Sequence, residues 1–279
     1  MKLGFIGTGI MGGAMAGRLL EAGHTLLIHT RTKSKAERLI AQGALWCETP
    51  EETTAASMVF TMLGVPADVE DIYLNHLLPT AMPSTILVDF TTSSPLLAAK
   101  IAATRPDIPV LDAPVTGGDI GARNGTLSIL VGGNERTFQD VYPILSFLAR
   151  TITYFGPPGS GQHAKLANQI AIAGTVQGVT EAFAYAKAKG LSLEKLIAAL
   201  GGGAAGGWQF VNLGPKIAAG DFTPGFMIRH FLKDIDLALA EAERSGIRLP
   251  VLEEAKLRYA RLDRPDQGTQ SLIQEYEKK

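Results

Sequence analysis

Lys165, Asn168 and Gln169 stand at i, i+3 and i+4, a spacing that brings an amine and two carboxamides to one face of a helix. An ammonium at the head of an apolar helix is costly to bury unless it serves something. Taken alone, it reads as a lysine whose stem lies along the surface with its head in water. In the serving reading, Lys165 hydrogen-bonds a carbonyl oxygen and delivers its proton while hydride arrives at the carbon. The same ammonium stabilises the alkoxide as it develops, and Asn168 fixes the lysine or the substrate.

Hydride needs a dinucleotide, and a second motif is built for one. Gly7-Thr8-Gly9-Ile10-Met11-Gly12 follows the apolar run Leu3-Gly4-Phe5-Ile6 and opens a helical pattern reaching about Ala22. Three such glycines alone are weak evidence, but strand before, helix after and a second strand (Thr25 to Ile28) some twenty residues on complete a dinucleotide site. Gly7 permits the tight turn, Gly9 lets the backbone approach a pyrophosphate, and Gly12 lets helix pack on strand. Ile10 and Met11 lie in the same turn and are candidate cofactor contacts. The alternative is a plain glycine hairpin.

After the second strand, His29-Thr30-Arg31-Thr32-Lys33-Ser34-Lys35 holds no acid for a ribose 2′-hydroxyl. Arg31, Thr32 and Lys35 instead offer cations and a hydroxyl to a 2′-phosphate, and charge-assisted hydrogen bonds would give roughly ten- to a hundred-fold preference for NADPH. Lys33 and Lys35 also read as a basic helix start facing water. Strand Met58 to Leu63 ends at Gly64-Val65-Pro66, on the sheet edge where the cofactor lies, so Met62 and Leu63 join its candidate contacts. Thr91 to Pro95 gathers hydroxyls at the same edge. Thr92 there is either a helix cap or a contact to the nicotinamide ribose.

These groups need a frame, and the pattern supplies it. Repeated strand–helix units to Phe155 predict an α/β fold, an N-terminal Rossmann-type doubly wound, mostly parallel sheet. Thr49-Pro50-Glu51-Glu52 reads as a helix start capped by Thr49, and Ala67 to Leu74 as a helix. Pro114 to Leu127 reads as a glycine-rich loop with N–H groups suited to a carboxylate. Gly156 to Gly161 is the clearest breaker cluster, dividing an NADP-binding domain at residues 1–161 from an all-α C-terminal domain at 162–279, for substrate and dimerisation. Leu166 to Thr180 carries no charge, which predicts a helix buried on nearly all faces. Gly201 to Gly207 is either a spacer or a lid, and His163 and His230 are structural or acid–base groups.

Composition sets the outer limits. The chain has 279 residues, 46% of them hydrophobic, and a net charge of −1, so neither nucleic acid nor an anionic membrane is an expected partner. The lone Cys47 allows no internal disulfide, and no His/Cys metal cluster is visible. The first strand starts right after Lys2, leaving no room for a signal peptide. A reducing, cytoplasmic setting is expected.

The chain resembles the β-hydroxyacid dehydrogenase family over essentially its full length. The resemblance rests on Gly4 to Gly12, on Asp112-Ala113-Pro114-Val115-Thr116-Gly117-Gly118 with Gly121-Ala122 and Gly125-Thr126-Leu127, on Gly159-Ser160-Gly161 through Lys165-Leu166-Ala167-Asn168, and on Lys233-Asp234. It implies that Lys165 is the catalytic lysine, with Asn168 beside it. It also implies that Thr92 and Lys233 contact the cofactor, although pattern alone makes Lys233-Asp234 a solvated pair. Thr116, Gly117 and Gly118 match the loop holding the substrate carboxylate. Thr116 departs from the family's usual serine, keeping the hydroxyl and adding a methyl that narrows the pocket. Arg31-Thr32 is similar to the NADPH-using branch that reduces glyoxylate and succinic semialdehyde. The expectation is therefore an NADPH-dependent reductase of small carboxylate-bearing aldehydes or keto acids, working as a homodimer or homotetramer. 3-Hydroxyisobutyrate or tartronate semialdehyde chemistry is the alternative within enzymes. A non-catalytic NADP-binding module is the alternative outside them.

Overall fold

The computed structural model describes residues 1–277, and the chain divides into two compact units, Met1–Lys165 and a second from Leu166 onward. The first unit is α/β. Among the described residues, nine strands form one sheet: β1 (Lys2–Ile6), β2 (Thr25–His29), β3 (Leu45–Trp46), β4 (Met58–Thr61), β5 (Ile86–Asp89), β6 (Val110–Asp112), β7 (Val115–Thr116), β8 (Leu127–Gly133) and β9 (Ala149–Gly156). Their order is β3-β2-β1-β4-β5-β6-β8-β7, with β9 alongside β8. From β3 to β6 every pairing is parallel, whereas β8 runs antiparallel to β6 and β7. The chain winds one way from β1 to β3 and the other way from β4 to β6. Between them lies the switch point at which such sheets bind ligands.

The helices of this unit are α1 (Ile10–Glu21), α2 (Glu37–Ala41), α3 (Pro66–Asp71), α4 (Leu78–Thr80), α5 (Pro95–Thr104), α6 (Gly118–Asn124) and α7 (Glu135–Leu145), with the head of α8 (Ser160–Ala188). Neighbouring residues of β1 point to opposite faces. Phe5 packs with Met15, Leu19, Phe60 and Phe90; Ile6 packs with Val59, Tyr73, Leu87 and Ile101. A central strand covered on both faces reads as the continuous apolar run seen here.

Several local expectations are corrected. Pro114 to Leu127 is not all loop. Val115–Thr116 pairs with β8, and α6 follows because Gly117 (φ 125°) and Gly118 (φ 63°) turn the chain sharply before Asp119 and Arg123 pair across one helical turn. The run after Pro66 continues to Thr80, through a wider turn at Ile72–Leu77. Thr49 caps no helix; Glu51–Ala55 is a short tight turn in which the Thr53 hydroxyl donates to the Pro50 carbonyl.

The second unit is helical: the rest of α8, then α9 (Leu193–Leu200), α10 (Trp208–Ala219), α11 (Ile228–Arg244), α12 (Pro250–Leu262), a tight turn at Thr269–Ile273, and α13 (Gln274–Glu277). On α11, Ile228, Phe231, Ile235 and Ala238 repeat at helical spacing and pack with Leu252, Ala255 and Tyr259 of α12. The charge-free stretch of α8 is not buried all round. Ala173, Val176 and Thr180 are inside, but Ala171, Thr175 and Gly178 are exposed, since a face of small, uncharged residues need not be an inward one. Among the described residues no helix is long and apolar enough to cross a membrane.

Candidate active site

The glycine turn behaves as three different residues. Gly7 sits at φ 92°, and a Cβ there would stand 2.2 Å from the Met62 carbonyl oxygen; one on Gly12 would stand 1.9 Å from the Gly7 carbonyl oxygen. Both positions are closed by backbone. A Cβ on Gly9 meets nothing within 4 Å, so the turn is open to a ligand on this side. Gly9 starts α1 without a side-chain cap, and no acid lies in the first turn. The first N–H groups of α1 have no intrahelical acceptor and face the direction in which helix dipoles favour anions. Thr8 Oγ1 is buried with no hydrogen-bond partner among the described residues. A dinucleotide pyrophosphate fits this cradle.

Around it the strand ends are tied together. The Leu63 amide donates to Thr91 Oγ1 at 2.8 Å, and Met62 N donates to the Ile6 carbonyl at 2.9 Å. Met62, Leu63 and Thr92 therefore lie on connected loops at one sheet edge. Arg31, at the end of β2, has a side chain 83% exposed and pairs with Asp68 of α3 at 3.0 Å. Thr32 and Lys35 are exposed on the following turn, and Lys33 lies over the Trp46 ring while pairing with Glu48. Asp68 is 37 residues from Arg31, too far for any sequence signal to join them.

Lys165 is buried, at 6% exposure, in the second turn of α8. The groups that seat this helix are ones the spacing did not single out. Asp112 Oδ1 accepts from Gly159 N at 2.7 Å, and Oδ2 from Gln162 N at 2.8 Å. Burial pushes the Asp112 carboxyl up to about 6, against the pull of those hydrogen bonds and with Asp89 nearby adding to the rise. A cavity of about 10 Å³, room for one water, is lined by Tyr73, Asp89, Ser93 and Asp112. Burial, with Asp89 close by, also raises the Tyr73 hydroxyl well above its ordinary value. Thr116 is half-buried, and Gly117 and Gly118 are exposed where β7 meets α6.

In the second unit, Asn168 Nδ2 donates to Gln169 Oε1 at 2.9 Å, and Gln169 Nε2 donates to Asp234 Oδ2 at 2.6 Å. Lys233 pairs with Asp234 Oδ1 at 3.0 Å. Lys233-Asp234 is thus no solvated pair; Asp234 is 1% exposed and completes a chain of polar groups running from Asn168. His230 beside it is held below its usual range by burial and by Arg229 and Lys233.

A glycine turn between β1 and α1, on a mostly parallel sheet, defines a dinucleotide-binding fold, and the comparisons make the chain an NAD(P)-dependent oxidoreductase acting on hydroxy acids. Residues 2–156 match the family described as the NAD-binding domain of 6-phosphogluconate dehydrogenase. Residues 159–275 match that described as NAD-binding of NADP-dependent 3-hydroxyisobutyrate dehydrogenase. A probable 3-hydroxyisobutyrate dehydrogenase-like protein of Arabidopsis thaliana is 42% identical over 98% of this chain and 84% of its own. The 2-hydroxy-3-oxopropionate reductase of Escherichia coli is 38% identical over 90% and 87%. The solved 3-hydroxyisobutyrate dehydrogenase of Mycobacterium tuberculosis with L-serine superposes at a TM-score of 0.89, with 31% identity and 98% of both chains covered. The chain belongs to the β-hydroxyacid dehydrogenase family.

Proposed function

We propose that this chain reduces small aldehyde and keto acids with NADPH, taking succinic semialdehyde to 4-hydroxybutyrate and glyoxylate to glycolate, with Lys165 as proton donor. One observation carries the reading: Lys165 is only 6% exposed, on the helix that Asp112 caps. An ammonium is not kept from water without a partner or a task.

The reduced nicotinamide, when bound, supplies the hydride. The chain's own residues do the rest. Thr116 and the N–H groups of Gly117 and Gly118 hold the substrate carboxylate. The Lys165 ammonium donates to the oxo oxygen. As the new C–H bond forms, an N–H bond of Lys165 breaks and its proton passes to that oxygen, giving the hydroxyl; the neutral amine then takes a proton from water. Asn168 steadies the lysine or the substrate. Gly7, Gly9, Ile10, Met11 and Gly12 seat the pyrophosphate, Met62, Leu63 and Thr92 lie along the cofactor, and Lys233 joins them by the resemblance. Arg31, with Thr32 and Lys35, selects the 2′-phosphate.

The E. coli relative supports a second reading, 2-hydroxy-3-oxopropionate as the oxo acid, and the Arabidopsis one supports 3-hydroxyisobutyrate. Loss of NADPH absorbance across a panel of these compounds ranks them. The exposed stripe of Ala167, Ala171, Thr175 and Gly178 on α8 supports a homodimer or homotetramer, which a monomer in sedimentation equilibrium would reject. The lone cysteine supports a cytoplasmic setting. The decisive test is Lys165→Met. It should cost at least about a hundred-fold in turnover, the contribution of one positioned acid, with NADPH affinity nearly intact. A loss below about ten-fold rejects the role, and no turnover with any oxo acid favours a non-catalytic NADP-binding module.

A further inference from the structure

The head of α8 is anchored from two directions. Asp112, from β6, takes the Gly159 and Gln162 amides, doing from a distant strand what a capping side chain does locally. Glycines keep that approach open. A Cβ on Gly132 would stand 2.6 Å from Asp112 Oδ1 and from Gly161 N, and one on Gly161 would stand 2.4 Å from the Leu130 carbonyl oxygen. Helix head and strand ends are thus in direct backbone contact. Gln162 then reaches to the loop after β5. Its Oε1 accepts from Ser93 N at 2.9 Å, and its Nε2 donates to the Thr91 carbonyl at 2.8 Å. The side chain has no exposed surface, and with donor and acceptor both engaged its amide holds one orientation. It brackets Thr92. Lys165 lies one turn along the same helix, at i+3.

We propose that Gln162 and Asp112 are positioning residues for proton delivery. Asp112 fixes the depth and direction of the helix head, Gln162 locks that head to the loop bearing Thr92, and the two set where the Lys165 ammonium stands. Neither residue touches the reacting atoms. A glutamine buried for packing alone would not read both backbone groups on either side of a cofactor loop. This inference rests on Lys165 being the proton donor.

A double-mutant cycle on the full chain tests it, using saturating NADPH and whichever oxo acid of the panel turns over. Gln162→Met should lower kcat by roughly ten- to a hundred-fold, the cost of displacing a reacting group by about 1 Å. The solvent deuterium isotope effect on kcat should rise, because proton delivery becomes slower. The NADPH Kd should rise by much less than kcat falls, since the glycine turn that seats the pyrophosphate does not depend on Gln162 and only the Thr92 loop does. Gln162→Glu, which keeps an acceptor for Ser93 N, should recover part of the rate. In a Lys165→Met background, Gln162→Met should cost little further, as groups acting through one another are not additive. Fully additive losses, or a Gln162→Met enzyme within about threefold of wild-type kcat, overturn the proposal. Should Gln162→Met fail to fold, Asp112→Asn enters the same cycle. Failure of the underlying reading looks different: Lys165→Met itself then keeps its turnover.

Discussion

Gly9 and Gly12 lie three residues apart in one motif, yet alanine at the two positions should do opposite things. At Gly12 the new methyl would stand 1.9 Å from the Gly7 carbonyl oxygen, against about 3.4 Å for ordinary contact, so backbone must open by about 1.5 Å. Overpacking of that kind costs about 1–3 kcal/mol or more. The gain of alanine over glycine inside a helix returns at most about 1 kcal/mol. Because the obstacle is backbone, the cost lies at the upper end, and the net loss of about 2 kcal/mol should lower the midpoint of the α/β unit by roughly 4–8 °C. At Gly9 the methyl meets nothing within 4 Å, and φ is −67°, which alanine adopts freely. The lost helix-start preference and the stiffer unfolded chain nearly cancel, each within about 1 kcal/mol. The melting point should hardly move. The methyl does occupy the open side of the turn, and NADPH binding should weaken at least about ten-fold, or 1.4 kcal/mol. Circular dichroism melts paired with NADPH fluorescence titrations read both quantities. If Gly9→Ala keeps full affinity, or destabilises the chain more than Gly12→Ala does, the assignment of the cradle is wrong.

Other outcomes follow from the same geometry. Arg31→Ala should raise the Kd for NADPH by about ten-fold or more and that for NADH far less; equal losses would undo the phosphate argument. Lys233→Met leaves Asp234, 1% exposed, with the Gln169 amide but without its cation, and should cost about 3 kcal/mol in urea unfolding. Asp112 gives a pH signature. Its carboxyl ionises near 6 in the folded chain against 3.8 ordinarily, so between these values the folded state holds the extra proton. Stability from this group is therefore greatest at low pH and falls by about 3 kcal/mol as pH rises through 4 to 6. The difference in unfolding free energy between wild type and Asp112→Asn should change across that window; parallel curves would show that the carboxyl is not desolvated.

The sheet was legible because its signals are local. Leu3 to Ile6, Leu26 to Ile28 and Met58 to Phe60 are short apolar runs ended by turn residues, and a parallel strand covered on both faces reads that way. The same holds for the glycine turn, whose geometry lies within a few residues of chain. Errors fell where local signals conflict. The many glycines from Gly117 to Gly125 read as loop, but Gly117 and Gly118 turn the chain, Gly125 ends α6 at φ 66°, and the helix between them is spanned by the Asp119–Arg123 pair. On α8, absence of charge suggests burial, although small uncharged residues are tolerated on an exposed face.

From sequence alone, then, came the class of fold, the cradle for a dinucleotide and a lysine at helical spacing from an asparagine. Tertiary structure decided what these groups lean on. Asp112 and Gly159 are 47 residues apart, Ser93 and Gln162 are 69, and Gln169 and Asp234 are 65. No periodicity spans such distances. Which buried acceptor meets which amide is settled only when strands and helices pack, because a buried polar group must find its partner wherever the fold brings one.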